Sequence, residues 1–541
     1  MRIHKLWLGW KPAGGGTKHQ PHIASKNQGW FFAFLVILCA ATYWTVLKYP
    51  YIQDDWGVLS LLLGGEDRSV LTAQFLAQHP IMYRPLPWLY FSLIVNLAGP
   101  DAFLHHLLMI VLHSCTSFLV FLTVRSLGEK DPIPHLSACL YLTAVSVHMD
   151  PMMWLVGTYD LAAALFFFLT LFLFMRGREK ISALTFLLAL LCKESVVPLP
   201  VVLLLILLLH TPVSRGRMRT LLPHGLILVF YLAFQAFRGV GHPSEDLRPY
   251  AMDFSFSLAA ANLANYVSWL AETWIPAQIP ERLIPLLFAS ALLLLVISWI
   301  PSLTGRRAAN GRAARGREMI FWPAWIFVML LPVLFLRDHA YRYYLTYSLV
   351  PGIVLFLRSL ARILGLFGAN RRIASAGTIV YAVLACGASV VFLHLQSRSG
   401  WNERPLEGTN RLIGKGSEVL QVRDYMQKNR DDLRRYPVIL LDGLDSSLFG
   451  GSLGPRLWLG QPTLRIFSAS QATIRGSSLQ IADGGEAPIV VRPGDARVLE
   501  AELDRGNWTG AIIGRSIDST GWGEPSGRDL RVSRRDSISV D

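Results

Sequence analysis

Two adjacent carboxylates, Asp54 and Asp55, follow a long apolar run within Tyr51-Ile52-Gln53-Asp54-Asp55. Such a pair can take the proton of an attacking hydroxyl as a general base, or hold a divalent cation. Adjacent acids in a loop are just as commonly solvated and nothing more, so the reading turns on their company. Other ionisable residues stand near the ends of apolar runs: Arg84 in Tyr83-Arg84-Pro85-Leu86, His148 and Asp150 ahead of Trp154, Lys193-Glu194, and Arg337-Asp338-His339 with Arg342. Arg84, Lys193 and Arg342 are suited to a phosphate, whose negative charge needs compensation as it develops. Asp160 falls about six residues into an apolar helix, roughly 9 Å below its end at 1.5 Å per residue. A carboxylate there is costly unless it is paired or faces water. Each of these has a plain structural alternative. Asp160 can pair with Lys193 or Arg84, Lys193-Glu194 can be a local ion pair capping a tight turn, and Arg84 and Arg342 can snorkel to lipid headgroups.

Several chemistries are excluded. His105, His106 and His113 resemble a metal cluster only at a glance, because their spacing spreads them over different helical faces with no carboxylate at ligand spacing. No Walker loop, dinucleotide fingerprint or nucleophile elbow is present, and Gly14-Gly15-Gly16 lies in a polar tail as flexible linker. All five cysteines, Cys39, Cys115, Cys139, Cys192 and Cys386, fall in apolar segments, as small packing residues do.

The elements that must position the ionisable residues are membrane spans. Of 541 residues, 52% are hydrophobic and 16% charged, with a positive mean hydropathy of +0.39, too apolar for a soluble protein of this length. The net charge of +14 is spread in short basic clusters between apolar runs, which fits the positive-inside rule and not a nucleic-acid surface. Spans are expected near 30–48, 103–124, 133–147, 154–175, 181–192, 194–209, 221–238, 284–300, 319–336, 343–360 and 375–396. The pair at 181–209 is a tight hairpin with Lys193-Glu194 at its tip. Basic residues at the N-terminus put it in the cytoplasm, and no cleavable leader is expected, so the first apolar run stays as a span. The first outer loop is then 49–102, with 86–98 a short apolar helix on the outer surface. The other outer segments are 148–153, 239–283 and 337–342.

The expected architecture is an α-helical polytopic membrane protein of about eleven transmembrane helices, with a C-terminal extracytoplasmic α/β domain. Residues 1–29 form a cytoplasmic tail, 30–396 the membrane domain, 397–514 the α/β domain and 515–541 a polar, disordered tail. Within the α/β domain a helix is expected near 416–434 and strands at 438–441, 488–491 and 510–513.

Over about residues 30–396 the chain resembles the membrane-embedded glycosyltransferases of the C superfamily, in their protein O-mannosyltransferase-like branch. The resemblance is carried by Gln53-Asp54-Asp55, by Tyr83-Arg84-Pro85-Leu86 leading to Leu112-His113, and by His148-Met149-Asp150-Pro151 through Trp154-Leu155-Val156-Gly157-Thr158-Tyr159-Asp160-Leu161. It continues through Leu191-Cys192-Lys193-Glu194 with Pro198 and Pro200, and Arg342-Tyr343-Tyr344-Leu345. Where relatives commonly carry Arg in a Gly-x-Arg-x-Asp stretch this chain has Gly157-Thr158-Tyr159-Asp160, and the tetratricopeptide repeats of the similar transmembrane proteins are missing.

The resemblance implies an inverting transfer of a monosaccharide from a polyprenyl-phosphate carrier to an extracytoplasmic acceptor hydroxyl on a protein, lipid or glycan, at a plasma or inner membrane. Asp54 or Asp55 would be the base, with Asp54 favoured. Arg84, Lys193 and Arg342 would meet the lipid phosphate, and His148, Asp150, Asp160 and Glu194 would bind the sugar or orient the cations. No cofactor is expected; were a divalent cation used, Asp54/Asp55 is its place. The rival expectation is a transporter or flippase of a lipid-linked sugar, which calls for midplane ionisable residues, broken helices and internal repeats.

Overall fold

The computed structural model describes residues 26–63, 83–209, 218–237, 252–273, 309–337, 339–366, 370–399, 409–434, 438–442 and 446–468, isolated positions between 286 and 296, and short strands beyond 471. Among them, five helices are long and apolar enough to cross a bilayer: Asn27–Lys48, Ala102–Ser126, Thr158–Met175, Arg219–Phe237 and Arg372–Val391. They fall on five of the expected spans, and the chain is a helical, multi-pass membrane protein. Shorter apolar helices occupy Pro85–Ala98, Ile133–Leu142, Glu194–Leu209 and Ile320–Phe335. Apart from isolated positions, the expected span near 284–300 lies outside the described residues, as do 239–251 and 274–283 of the outer segment 239–283.

Burial sorts these helices into inner and outer. His105, His106, Met109, Val120 and Phe121 of Ala102–Ser126, and Ala163, Ala164, Phe167 and Phe168 of Thr158–Met175, are enclosed by neighbouring helices. Leu222–Phe237 instead exposes Val229, Phe230 and Phe237, the last at 90%. Exposed apolar side chains on a helix of spanning length are what a lipid-facing surface requires. Pro85–Ala98 shows both faces. Pro85 and Pro87 fit its first turn, where the missing N–H groups are not needed. Trp88, Phe91 and Val95 turn inward while Leu89, Leu93 and Leu97 are exposed.

One expected span is corrected. Residues 133–147 do not form a single crossing: Ile133–Leu142 stops, the chain turns at Thr143-Ala144, and a second helix runs Val145–Met153. The Thr143 hydroxyl donates back to the Cys139 carbonyl at 3.0 Å in the last turn, a bond that competes with continued helix. His148 and Asp150, expected in a loop, are therefore on a helix whose residues are buried. At 181–209 the expected turn is present, with Glu179–Cys192 ending at Lys193 in extended backbone before Glu194–Val196. The arms do not form a tight hairpin: Glu179–Cys192 packs against Thr158–Met175 and Leu199–Leu209 against Ala309–Leu330.

In the C-terminal region the expected helix is Thr409–Lys428 followed by Arg430–Leu433. The strands are β1 (Val438–Asp442), β2 (Arg465–Ser468), β3 (Ala472–Arg475), β4 (Ser478–Ala482), β5 (Pro488–Val490), β6 (Ala511–Gly514) and β7 (Arg531–Ser533). One sheet has the order β2-β1-β6-β7, with β1 parallel to both β2 and β6. A parallel β1–β2 pair needs a crossover, supplied by the helix Leu453–Leu459. A second sheet has the order β3-β4-β5. Arg531–Ser533, within the stretch expected to be disordered, pairs antiparallel with β6. Val419, Val422, Met426, Leu433 and Ile439 share one buried apolar cluster with Tyr49, Trp56, Leu59, Met149 and Met153, so this region and the acidic turn are packed together.

Candidate active site

The acidic turn is built by an unusual backbone step. Gln53 has φ +48, the left-handed region, which costs a non-glycine residue about 1–2 kcal/mol. Its N–H donates to the Leu448 carbonyl at 3.0 Å. The step reverses the chain so that Asp54 and Asp55 open the helix Asp54–Leu63, where carboxylates complement the positive end of the helix dipole. Tyr51 is held beneath them: its hydroxyl shares a 2.5 Å hydrogen bond with His105 Nδ1, and its carbonyl accepts from Trp56 Nε1 at 2.9 Å.

The two acids differ. Asp55 is fully buried, its Oδ2 accepting from the Ile52 N–H at 3.1 Å and its Oδ1 from the Val156 N–H at 3.2 Å. Burial pushes its carboxyl up to about 8, against the pull of those amide donors. Asp54 is exposed. Packing around it raises its carboxyl above the ordinary value, and Lys415 opposes that rise.

Three ion pairs hold the expected cations. Arg84 Nε and Nη2 donate to Glu194 Oε2 and Oε1 at 3.0 and 2.5 Å, a two-pronged pair in which the Arg84 side chain is 6% exposed and that of Glu194 44%. Lys193 Nζ donates to both oxygens of Asp160 at 2.6 and 2.7 Å. Arg342 pairs with Glu272, both almost fully enclosed. Aromatic rings line the cations: Arg84 lies over Tyr159 at 4.9 Å, Lys193 over Tyr343 at 4.6 Å and Arg342 over Trp269 at 5.1 Å. Tyr159 links the groups, with Arg84, Asp55, Asp54 and Glu194 as its charged neighbours.

The expected residues are brought together only in part. Lys193 and Glu194 do not pair with each other; they join Asp160 and Arg84, because the extended backbone at Lys193 sends consecutive side chains to opposite sides. Arg84 and Arg342 do not snorkel; both are buried in pairs. All three cations expected at a phosphate already have a carboxylate partner. Asp150 is buried near Arg342, its carboxyl is pushed up to about 7 by burial despite that cation, and its Oδ1 has no hydrogen-bond partner among the described residues. His148 does not join the ion pairs. It is fully buried between His113 and Tyr141, ring centroids 4.5 and 4.7 Å away, because its turn is a packed helix and not a loop. Asp338 lies outside the described residues, Arg337 is exposed, and His339 stands 4.6 Å from the Tyr341 ring, its imidazole held down at about 4 by burial with Lys193 and Arg84 nearby.

His105, His106 and His113 each have a separate partner, Tyr51, the Met152 carbonyl and the Leu142 carbonyl. Among the described residues no group of three or more His, Cys, Asp or Glu is placed to hold a metal ion.

Sequence reasoning missed Glu272, Tyr159 as the linking ring, and Lys415. Glu272 ends the amphipathic helix Phe256–Glu272, and a lone acid at the end of an otherwise uncharged helix was the available signal. Nothing in the sequence ties Lys415 to Asp54. Gly157 has a local reason: a Cβ there would run into the backbone of Pro151, and this close approach carries the Val156 N–H to Asp55.

Neither a family model nor a curated protein matches the sequence. Among solved structures the chain is similar to the arabinofuranosyltransferase AftD from Mycobacteria, at 14% sequence identity and a TM-score of 0.44. The similarity covers 83% of this chain and 32% of that one, so the chain spans about a third of that protein's length.

Proposed function

We propose that the protein is a membrane-embedded glycosyltransferase that moves a monosaccharide from a polyprenyl-phosphate carrier to an acceptor hydroxyl on the extracytoplasmic side. The single observation that carries this reading is the division of labour in the acidic turn. Asp55 has both oxygens occupied by backbone amides and is out of solvent, while Asp54, next to it, is presented to solvent on a turn held in a left-handed step. A general base needs that combination of a fixed backbone and a free carboxylate.

In the proposed reaction Asp54 takes the proton of the acceptor hydroxyl as its oxygen forms a bond to the anomeric carbon. The bond from that carbon to the phosphate oxygen breaks, and the polyprenyl phosphate departs with the electron pair. Attack opposite the leaving group inverts the anomeric centre. Arg84 is the cation for the phosphate, because its partner Glu194 is the one half-exposed carboxylate of the three pairs and can be exchanged for a ligand oxygen. Lys193 and Arg342, paired with enclosed carboxylates, brace the site. Asp150 Oδ1, buried without a partner, is suited to a sugar hydroxyl.

The test is reconstitution in liposomes with radiolabelled polyprenyl-phosphate sugars and envelope extract. A transferase moves label from the carrier to a new molecule; a transporter leaves it on the carrier and changes only its side of the bilayer. Label that never leaves the carrier would overturn the proposal.

A further inference from the structure

The C-terminal region touches the acidic turn and its surroundings through two segments, Leu448–Trp458 and the helix Thr409–Lys428. Leu448 accepts the Gln53 N–H. Gly450, at φ +69, lies so close to Trp56 that a Cβ would come within 2.6 Å of the Trp56 Cβ, and Gly454 faces the same ring. Trp458 stands edge-on to Trp56 with centroids 5.9 Å apart. On the helix Thr409–Lys428, Gly416 meets Tyr49 and Met153 where any side chain would collide. That contact sets the adjacent Lys415 close to the acidic turn, where its positive charge bears on Asp54. Among the described residues, the charged and titratable groups that act on Asp54 include Lys415 from this helix, Asp55 on its own helix and Tyr159 from Thr158–Met175.

We infer that the C-terminal region is a clamp belonging to the acidic site: the Leu448–Trp458 run holds Gln53 in its left-handed conformation, and Lys415 is the positioning residue for the Asp54 carboxylate. The inference extends the transferase reading and depends on it for the kinetic consequence alone. A left-handed glutamine persists only where its surroundings over-determine it, and here the determinants come from a segment some four hundred residues away in sequence.

The test uses the full chain in lipid nanodiscs with Gly450→Val, Lys415→Met and Lys415→Arg. Gly450→Val wedges the clamp open and raises amide hydrogen exchange across residues 49–63 by at least tenfold, with exchange in Ala102–Ser126 unchanged. Lys415→Met leaves exchange at the turn unaltered, extends carbodiimide modification of Asp54 to higher pH, and lowers kcat at least tenfold with donor KM within twofold. Lys415→Arg restores both. Unchanged exchange in Gly450→Val overturns the clamp, and an unshifted Asp54 modification profile in Lys415→Met overturns the role of Lys415. If the unmodified protein transfers no sugar, the proposed function fails, while the exchange and modification results still decide this inference.

Discussion

Burial separates Asp55 from its neighbour Asp54, and the separation is measurable. The Asp55 carboxyl is held at about 8, against about 3.9 in an unfolded chain. The native state therefore keeps a proton that the unfolded chain has released. The resulting contribution to stability is complete below about pH 4 and is lost as pH rises through about 8. Asp55→Asn cannot titrate, so its unfolding temperature in nanodiscs falls less between pH 5 and pH 8 than that of the unmodified protein. Asp150, at about 7, contributes to both and cancels in the comparison. The Asn side chain also cannot accept from both Ile52 and Val156, which costs about 1–3 kcal/mol for a buried N–H left unpaired. Equal pH slopes would show that Asp55 holds no proton. The acid pair was legible in the sequence, because two carboxylates after an apolar run stand out in composition. Which of them is buried was not, since that depends on an amide at Val156, a hundred residues on.

At the scale of elements, Lys193–Asp160 ties the helix Thr158–Met175 to the turn after Glu179–Cys192. Both side chains are enclosed, so removing one leaves the other charged and uncompensated. Asp160→Ala is expected to destabilise the protein by about 3–5 kcal/mol, whereas the double change Asp160→Leu with Lys193→Met recovers most of that loss. Thermal unfolding of the two variants checks this, and a double variant no more stable than the single one would remove the pair's bracing role. The sequence offered Lys193 as a partner for Asp160 because a carboxylate inside an apolar helix demands one. The break of the 133–147 run into two helices was not legible there, because Thr143 and Ala144 interrupt no apolar pattern and the turn is fixed by packing around His148 and Tyr141.

For the whole molecule, the central claim is that one face of the bilayer carries the acidic turn and the C-terminal clamp together. Ser60 is exposed on the acidic helix. In a background with the five native cysteines replaced, Ser60→Cys is expected to react with a membrane-impermeant maleimide from the extracytoplasmic side of intact cells; protection there, with labelling only after lysis, would reverse the orientation. The helical membrane architecture was legible because spans declare themselves in composition. The docking of the C-terminal region on the first loop was not, because Gly416, Gly450 and Gly454 reveal close approach only once their neighbours are known. The most direct test of the account is single-turnover transfer from a labelled polyprenyl-phosphate sugar by Asp54→Asn in nanodiscs. The account predicts a rate lower by about 10²–10⁴ with donor binding retained, and transfer at the unmodified rate would contradict it.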